Sequence, residues 1–124
     1  MSTSPRPVDQ DSYSTMRNLK WSSTEKAIAR KAFERALQQE LTTAIQSAKQ
    51  MAAKIRQAAE LWELERYLTQ RRKEIDRKYE YKYSALLIVF GDLIREGRLN
   101  AEDLQGLAED KLAYIRREVS RSAA

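Results

Sequence analysis

Residues 37–62 read LQQELTTAIQSAKQMAAKIRQAAELW, and this stretch decides the fold. Apolar residues recur in it at alternating spacings of four and three positions, which is the heptad pattern of helices that pack side by side. Three of the eight positions are alanine, which favours a close approach of the packed helices. The stretch therefore predicts a helix–helix interface along Leu37, Leu41, Ala44, Ala48, Met51, Ile55, Ala58 and Trp62.

The chain on both sides of this stretch also indicates a helical fold. No glycine or proline occurs from Val8 to Phe90, so the strongest helix breakers are absent over most of the chain. Ser22 and Glu25 have the S-x-x-E spacing of a capping box, which predicts a helix start there with Trp21 packing beside it as a staple. Residues 1–20 are rich in Ser, Thr, Asp and Pro, and this composition predicts a disordered N-terminal tail.

A second set of apolar residues follows the heptad stretch on a different helix face. The change of face predicts a bend or break between two helices at about Gln57–Leu61, although no residue there forces one. The second face comprises Leu61, Leu64, Leu68, Ile75, Tyr79, Tyr83 and Leu86.

The C-terminal third has the pattern of several short helices. A mostly apolar segment ends at Gly97, a residue type that commonly closes a helix. Asn100 with Asp103 predicts a new helix start, and Gly106 separates it from a last helix at about Glu109–Ser120.

Together these patterns predict an all-α protein with one helical domain at residues 21–124, comprising a stem at about 22–80 and a head at about 81–120. A stem with an exposed apolar stripe cannot bury that stripe against so small a head. We therefore expect a homodimer in which the stems of two chains pack together. The residues leave a monomeric, folded-back bundle as the alternative.

Composition excludes several classes of function. Cysteine and histidine are both absent, which removes disulfides, thiol chemistry, the usual zinc ligands and histidine acid–base catalysis. No glycine-rich phosphate loop occurs, and most carboxylates lie at helical spacings from Lys or Arg, as surface ion pairs do. The chain shows neither a signal-peptide pattern nor an apolar run long enough for a bilayer. We predict a cytoplasmic, non-enzymatic protein with no cofactor, no metal site and no membrane insertion.

One side of the second helix gathers a tryptophan and several charges. Arg66 lies four positions after Trp62, within reach of its ring, and Arg72 lies four positions before Asp76. Trp and Arg are residue types enriched in the hot spots of protein interfaces. The pattern fits either a partner-binding surface or an ordinary solvated face, and the residues alone leave both open. The full set is Trp62, Glu65, Arg66, Thr69, Arg72, Lys73 and Asp76.

The same region is the most basic part of the chain. From Arg66 to Lys82 it holds seven Lys or Arg residues against three Asp or Glu residues, in a protein of net charge +5. Tyr79, Tyr81 and Tyr83 are suited either to stacking on bases or to lining a core. Because acidic residues interrupt any stripe that would follow phosphates, we predict no nucleic-acid partner, and a small basic nucleic-acid binder stays as an alternative hypothesis.

Three segments carry a resemblance to a known family: WSSTEKAIARKAFERALQQEL at 21–41, LWELERYLTQRRKEIDRKYEYKYSALLIVF at 61–90 and LIREGRLNAEDLQGLAEDKL at 93–112. The most specific residues are Leu61-Trp62, the block Arg72-x-Glu74-Ile75-Asp76-x-Lys78-Tyr79, Val89-Phe90, Glu96-Gly97 and Asp110-Lys111. With these residues, the chain from about Trp21 to Ile115 resembles the fluorescence recovery protein family of cyanobacteria.

The resemblance implies an all-helical dimer that acts by binding rather than by catalysis. Members of this family bind the C-terminal domain of the photoactivated orange carotenoid protein and speed its return to the resting orange form. They also help to release it from the phycobilisome, which ends thermal, non-photochemical quenching. For this chain the resemblance implies the same partner or a homologue of it, near thylakoid-bound phycobilisomes. The alternative is a divergent homologue that uses the same face on a different protein outside photoprotection.

The resemblance also assigns site residues. The family's partner-binding face includes a tryptophan that matches Trp62 and an arginine that matches Arg72. The family usually has a His-Asp pair where this chain has Glu65-Arg66, so a positive charge replaces an acid. In the head, Ile88 stands where phenylalanine is frequent and Tyr114 where lysine is common. The predicted partner-binding residues are Trp62, Glu65, Arg66, Thr69, Arg72, Asp76, Ile88, Phe90 and Tyr114.

Overall fold

The computed structural model describes residues 19–121, which form four α-helices and one short 3₁₀-helix. The helices are α1 Ser23–Ala53, α2 Ala58–Lys78, α3 Leu86–Arg95, the 3₁₀-helix Ala101–Leu104 and α4 Glu109–Arg121. The predicted all-α class is confirmed for this part of the chain, whereas the predicted tail falls almost wholly outside it. No helix in residues 19–121 is long and apolar enough to cross a membrane.

The long helix α1 begins at the predicted capping box. The Ser22 hydroxyl accepts a hydrogen bond from the Glu25 backbone N–H at 3.1 Å, and the Glu25 carboxylate accepts one from the Ser22 N–H at 3.0 Å. These bonds satisfy two of the N–H groups that a helix start leaves without partners. From there α1 runs 31 residues, a length of about 46 Å. Trp21 packs its ring on Tyr83, with the ring centroids 5.2 Å apart.

The predicted break between two helices exists, but it lies at residues 54–57 rather than at 57–61. The Glu60 carboxylate accepts hydrogen bonds from the backbone N–H groups of Arg56 at 2.7 Å and Gln57 at 2.9 Å. These bonds cap the start of α2, so Gln57 becomes the residue before the helix. The break therefore comes from a glutamate that opens a new helix, not from a helix-breaking residue.

Helix α2 runs antiparallel to α1. Arg71 of α2 contacts Glu40 of α1 at 3.0 Å, and ten residues later the ring of Tyr81 packs on Phe33 at a centroid distance of 4.9 Å. Residues later in the chain thus contact earlier residues of α1. The stem is a helical hairpin within one chain.

The hydrophobic core of the head includes the first half of α1. Phe90, Leu86, Leu87, Leu93 and Leu104 are fully buried. They pack in one cluster with four α1 residues, Ala29, Ala32, Phe33 and Ala36. Each large apolar side chain buried in this way contributes about 1.5–3 kcal/mol to stability. The core therefore crosses the predicted stem–head boundary near residue 80.

The three tyrosines after α2 line this core. Tyr79, Tyr81 and Tyr83 all pack against the buried cluster. Phe33 lies edge-on to Tyr79 and Tyr81, at ring centroid distances of 5.5 and 4.9 Å, a favourable aromatic geometry. Of the two roles open to these residues from sequence, the structure shows the core role.

Two glycines shape α3, one by allowing a close helix contact and one by ending the helix. A Cβ atom on Gly91 would lie 2.6 Å from the Glu118 Cβ atom, so glycine lets α4 approach α3. Gly97 has φ +76° and closes α3 as predicted, with the Arg98 N–H donating to the Leu93 carbonyl at 2.9 Å.

A buried ion pair joins the start of α1 to α4. Lys111 is 3% exposed, and its ammonium lies 3.1 Å from the carboxylate of Glu25, which is also buried. The Glu25 carboxylate accepts a further hydrogen bond from the Ala108 N–H at 2.8 Å. Burial alone would raise the pKa of Glu25, but the hydrogen bonds from Ser22, Ala108 and Lys111 outweigh it and lower the pKa to about 2.

We expect the protein to lose stability as the pH falls from about 5 to about 2. The folded-state pKa of Glu25 lies below its ordinary value of 4.5, so its contribution is present above that value and is lost on protonation of the folded state. A shift of this size corresponds to a loss on the order of 3 kcal/mol. Urea unfolding measured from pH 7 to pH 3 checks this, and Glu25→Gln should flatten the slope. Equal stability at pH 6 and pH 3 would contradict it.

Candidate partner-binding site

The outer face of α2 exposes large apolar side chains. Trp62 is 55% exposed, Leu68 is 45% exposed and Leu61 is 44% exposed. Together with Leu64 and Glu65 they line a shallow recess of about 280 Å³. Contiguous exposed apolar patches are characteristic of interaction surfaces, which makes this recess a candidate. The heptad pattern includes Trp62, whereas no sequence pattern indicates that Leu61 and Leu68 stay exposed.

The charged side chains beside this recess make few contacts within the chain. The Thr69 hydroxyl donates a hydrogen bond to the Glu65 carboxylate at 3.1 Å. Arg66, Arg72 and Asp76 are exposed, and within residues 19–121 none of them forms an ion pair. The Arg66–Trp62 contact and the Arg72–Asp76 pair that the spacing permits are not formed in the described chain. These charged groups stay free to meet a partner.

Five residues, which we call the Glu40 cluster, hold α2 in place. They are Glu40 of α1, Arg71 and Lys78 of α2, and Tyr79 and Arg98 beyond it. Glu40 is 1% exposed, and its carboxylate lies 3.0 Å from the Arg71 guanidinium, 2.7 Å from the Lys78 ammonium and 2.8 Å from the Tyr79 hydroxyl. Arg98 adds a longer contact of 3.6 Å from the turn after α3.

The electrostatics of the cluster favour charged side chains despite their burial. Burial would raise the pKa of Glu40, but the hydrogen bonds from Lys78, Tyr79 and Arg71 lower it to about 2. Burial and the negative charge of Glu40 raise the pKa of Tyr79, so its phenol keeps its proton. Two further carboxylates balance the cations, with Glu74 3.0 Å from Arg71 and Glu96 2.7 Å from Lys78.

This cluster decides which arginine of α2 faces outward. Arg71 and Arg72 are neighbours, and consecutive helical residues point about 100° apart. Because Arg71 bonds Glu40 inside the hairpin, Arg72 projects into solvent on the same side of α2 as Glu65 and Asp76. The predicted site residues of α2 thus share an exposed half of one helix.

The head residues predicted for partner binding lie elsewhere. Ile88 is half-buried and lines a groove of about 510 Å³ between the end of α2 and α3. The charged walls of this groove include Arg77 and Asp92. From Trp62 to Lys78, at the groove, α2 rises about 24 Å. The recess and the groove are therefore separate surfaces joined by one helix.

Phe90 and Tyr114 are the other two head residues predicted for partner binding, and they differ in burial. Phe90 is fully buried in the head core, so its prediction as a partner contact is wrong for the folded head. The physical reason is that Phe90 belongs to the hydrophobic cluster that forms the core of the head. Tyr114 is half-buried on α4, with the Arg117 guanidinium 5.5 Å from its ring. It lies outside both the recess and the groove.

The predicted dimer stripe is unevenly covered in a single chain. Leu37 packs against the head core, whereas Leu41 is 37% exposed and Ala58 and Trp62 are exposed. Ala44, Ala48, Met51 and Ile55 are half-buried. Ile45, which lies beside the stripe, is 52% exposed. The exposed apolar area thus lies on α1 after Glu40 and on the first half of α2.

The described residues form a small all-helical protein with an exposed apolar recess on α2. Residues 21–118 match the family model described as the photoprotection regulator fluorescence recovery protein. The fluorescence recovery protein of Synechocystis sp. is 38% identical over 96 residues, which cover 77% of this chain and 88% of that protein. The chain belongs to the fluorescence recovery protein family and is a regulatory, non-enzymatic protein.

Solved structures give the same result. The structure of the Fremyella diplosiphon fluorescence recovery protein matches with a TM-score of 0.78 and 38% identity, covering 82% of this chain and 99% of that one. The Synechocystis sp. structure matches with a TM-score of 0.78 and 36% identity, over the same shares of each chain. The sequence resemblance to this family is thereby confirmed.

Proposed function

We propose that this protein binds the C-terminal domain of the photoactivated orange carotenoid protein, or a closely related domain, in the cytoplasm. It accelerates the return of that protein to the resting orange state and so ends phycobilisome quenching. The observation that carries the proposal is Trp62, 55% exposed in an apolar recess and flanked by unpaired charges, in a chain of the fluorescence recovery protein family.

The proposed mechanism is differential affinity. A binding protein changes a conformational equilibrium or its rate only when it binds one conformer, or the barrier between conformers, more tightly than the other. Trp62 supplies an apolar anchor, because burying a half-exposed tryptophan against a partner removes a large apolar area from water. Arg72 supplies a planar cation that pairs with a carboxylate through two parallel hydrogen bonds.

The test is the dark recovery rate of photoactivated orange carotenoid protein, measured by absorbance with and without this protein. Clear acceleration at near-stoichiometric amounts supports the proposed function. A folded protein that binds neither form of the carotenoid protein and leaves the rate unchanged overturns it.

A second function is favoured by Glu65 and Arg66. Arg66 is exposed and has no ion pair within residues 19–121, and it stands where the family usually has an acid. A positive charge at this position repels a cation on the usual partner and attracts an acid on a different one. The alternative is therefore a divergent regulator that uses the same α2 face on another protein.

Exchanging Glu65-Arg66 for His-Asp is expected to strengthen binding to a standard orange carotenoid protein. The exchange removes the unpaired Arg66 cation and restores the usual acid, which changes affinity by about tenfold if that acid pairs with a basic group. Titration of the photoactivated partner at fixed ionic strength measures it, with Gln70→Asp as a control on the same helix. Unchanged or weaker binding would contradict the claim that Glu65-Arg66 weakens binding to a standard orange carotenoid protein.

We also propose that the protein is a homodimer. Leu61 and Leu68 on α2 and Leu41 and Ile45 on α1 form an exposed apolar area that a second copy would bury. Burial of this area in two chains at once gives a symmetric interface that shares Leu41 with the predicted heptad stripe. Because Leu61 and Leu68 also line the recess, a second copy and the partner compete for this part of α2.

Leu68→Glu is expected to convert the dimer into a monomer. The substitution places a charge in an interface where an unpaired charge costs several kcal/mol. Gln70→Glu adds the same charge two residues away at another exposed position, and it should leave the dimer intact. Light scattering on size-exclusion chromatography at micromolar concentration gives the mass. A monomeric wild type, or a dimeric Leu68→Glu variant, would contradict the homodimer.

A further inference from the structure

A third surface, which we call the α4 groove, lies in the head between the end of α3, the 3₁₀-helix and α4. It has a volume of about 520 Å³, and neither α1 nor α2 contributes a residue to it. Leu104 and Ile115 are 1% and 3% exposed, so they form its floor. Six of its ten lining residues are apolar, namely Ile94, Ala101, Leu104, Leu112, Ile115 and Val119.

One wall of the α4 groove is a stripe along α4 itself. The lining residues of this helix are Leu112, Ile115, Arg116, Val119 and Ser120, which share one helix face. From Leu112 to Ser120 the helix rises about 12 Å. Leu112 and Val119 pack against the head core and are only partly buried. The apolar stripe of α4 is therefore not fully covered within residues 19–121.

The uncompensated charge of the α4 groove is that of Glu102. This residue is exposed and forms no ion pair within residues 19–121. The other charged lining residue, Arg116, is bonded to Glu109. Asp103, which follows Glu102, lies 2.8 Å from Arg35. The groove thus presents one free acid beside an apolar surface, which a Lys or Arg of a partner would complement.

The other cations near the groove do not change this charge. Arg95 of α3 is bonded to Asp92. Arg121 lies 3.4 Å from Glu118. Arg117 lies over a tyrosine ring outside the groove and is not part of its lining.

We propose that the α4 groove binds an amphipathic α-helix of a partner protein, with apolar side chains on the groove floor and a Lys or Arg beside Glu102. Helix anchors at i, i+3, i+4 and i+7 span about 10.5 Å, which matches the length of the stripe on α4. The inference goes beyond the proposed function, because the α4 groove shares no lining residue with the Trp62 recess or the Ile88 groove. The protein can therefore hold a second partner while the face of α2 is occupied.

The lining of the groove disfavours other ligands. Strand addition needs a sheet edge, and residues 19–121 form an isolated bridge but no strand. Polyproline segments dock in aromatic-lined grooves, and none of the ten lining residues is aromatic. A small molecule is normally enclosed on most of its surface, whereas this groove is open to solvent.

A designed peptide tests the groove without knowledge of the natural partner. The peptide has about 15 residues, with leucine at i, i+3, i+4 and i+7, one lysine beside them, and alanine and glutamine elsewhere. It is titrated to millimolar concentration into the isotope-labelled full chain, and backbone amide shifts are followed by NMR. We expect shifts at residues 101–105 and 112–120. The absence of such shifts, or an equal response to a peptide of the same composition without helical spacing, overturns the proposal.

Other occupants of the groove would give different results. Indole that shifts the same amides with higher affinity than the peptide would assign the groove to a small molecule. Contacts of Leu112 with residues 1–18 or with a second copy, detected in the peptide-free protein, would assign the groove to this chain. Shifts confined to residues 61–68 would place the peptide in the Trp62 recess. Each of these results overturns the proposal.

Two variants test the contacts in the same titration. Ala101→Tyr adds bulk at an exposed lining position and should weaken binding at least about tenfold, whereas Ala27→Tyr, at an exposed position of α1, should not. Glu102→Gln should weaken binding about two- to fivefold, and Glu63→Gln should leave it unchanged. Circular dichroism verifies that each variant is folded. Equal affinities of the two tyrosine variants overturn the groove, and equal affinities of the two glutamine variants overturn the basic residue of the partner.

The dark recovery assay separates this inference from the proposed function. Ala101→Tyr should accelerate the recovery of photoactivated orange carotenoid protein as the wild type does, because it lies outside the face of α2. Loss of acceleration by this variant in its folded state overturns the groove as an independent site. If the wild type binds the peptide but does not accelerate recovery, the proposed function fails while the inference about the groove stands.

Discussion

Replacing Glu40 by glutamine is expected to lower the free energy of unfolding by about 3–5 kcal/mol. Glu40 is 1% exposed and accepts hydrogen bonds from Arg71, Lys78 and Tyr79. Glutamine keeps the shape of the side chain but removes its charge, which leaves buried cations without their main counter-charge. Because the cluster fastens α2 to α1 and to the turn after α3, its loss should loosen the hairpin and the head together.

Urea unfolding at pH 7 measures this effect, at a fixed protein concentration because the stability of the proposed dimer would depend on concentration. Glu34→Gln is the matched control on the same helix. Glu34 lies 3.9 Å from Arg30, and both side chains are more than half exposed, so this pair should contribute less than about 1 kcal/mol. Equal effects of the two substitutions would show that Glu40 does not organise the fold.

Replacing Trp62 by alanine is expected to weaken partner binding by about 30-fold or more. Large aromatic residues at interface centres cost about 2 kcal/mol or more when they are truncated, and each 1.4 kcal/mol is a factor of ten. Trp62 is 55% exposed in the free chain, so its truncation removes little internal packing. The dark recovery rate of photoactivated orange carotenoid protein, titrated with the variant, gives the change in affinity.

Gln70→Ala, at another exposed position of α2, is the control for this substitution and should bind as the wild type does. Since Trp62 also belongs to the predicted dimer stripe, the mass of each variant is measured at the concentration of the recovery assay. Full acceleration by a Trp62→Ala variant of unchanged mass would remove Trp62 from the site. A lower mass with full activity would assign Trp62 to the dimer interface alone.

Much of the fold could be predicted because its signals are local. The capping box at Ser22, the helix end at Gly97 and the 3₁₀-helix start at Asn100 each depend on residues within about four positions. Such features are set by hydrogen bonds and backbone angles that neighbouring residues alone determine. The break at residues 54–57 was harder to place, because Gln57 is an uncommon helix-start residue and the capping glutamate is also a good helix former.

The candidate site could be predicted only in part. Helical periodicity placed Trp62 and Arg72 on one half of α2, and the structure exposes both. Periodicity could not show that Phe90 would be buried, because α3 is apolar on most of its surface and the core cluster that contains Phe90 includes residues far away in sequence, such as Phe33, 57 positions earlier. Nor could it show that Arg77 would line a groove with Ile88, because the segment after α2 has no helical period to extend.

By itself the sequence determined the helical class, the positions of most helix ends and the family to which the chain belongs, because these depend on local hydrogen bonding and on residue identity. Only the tertiary structure decided which charges are internal and which are free. Arg71 and Arg72 are identical in chemistry and adjacent in sequence, yet one is bonded to a buried glutamate and the other faces solvent. That choice depends on Glu40, 31 positions before Arg71 on an antiparallel helix, and no local pattern contains it.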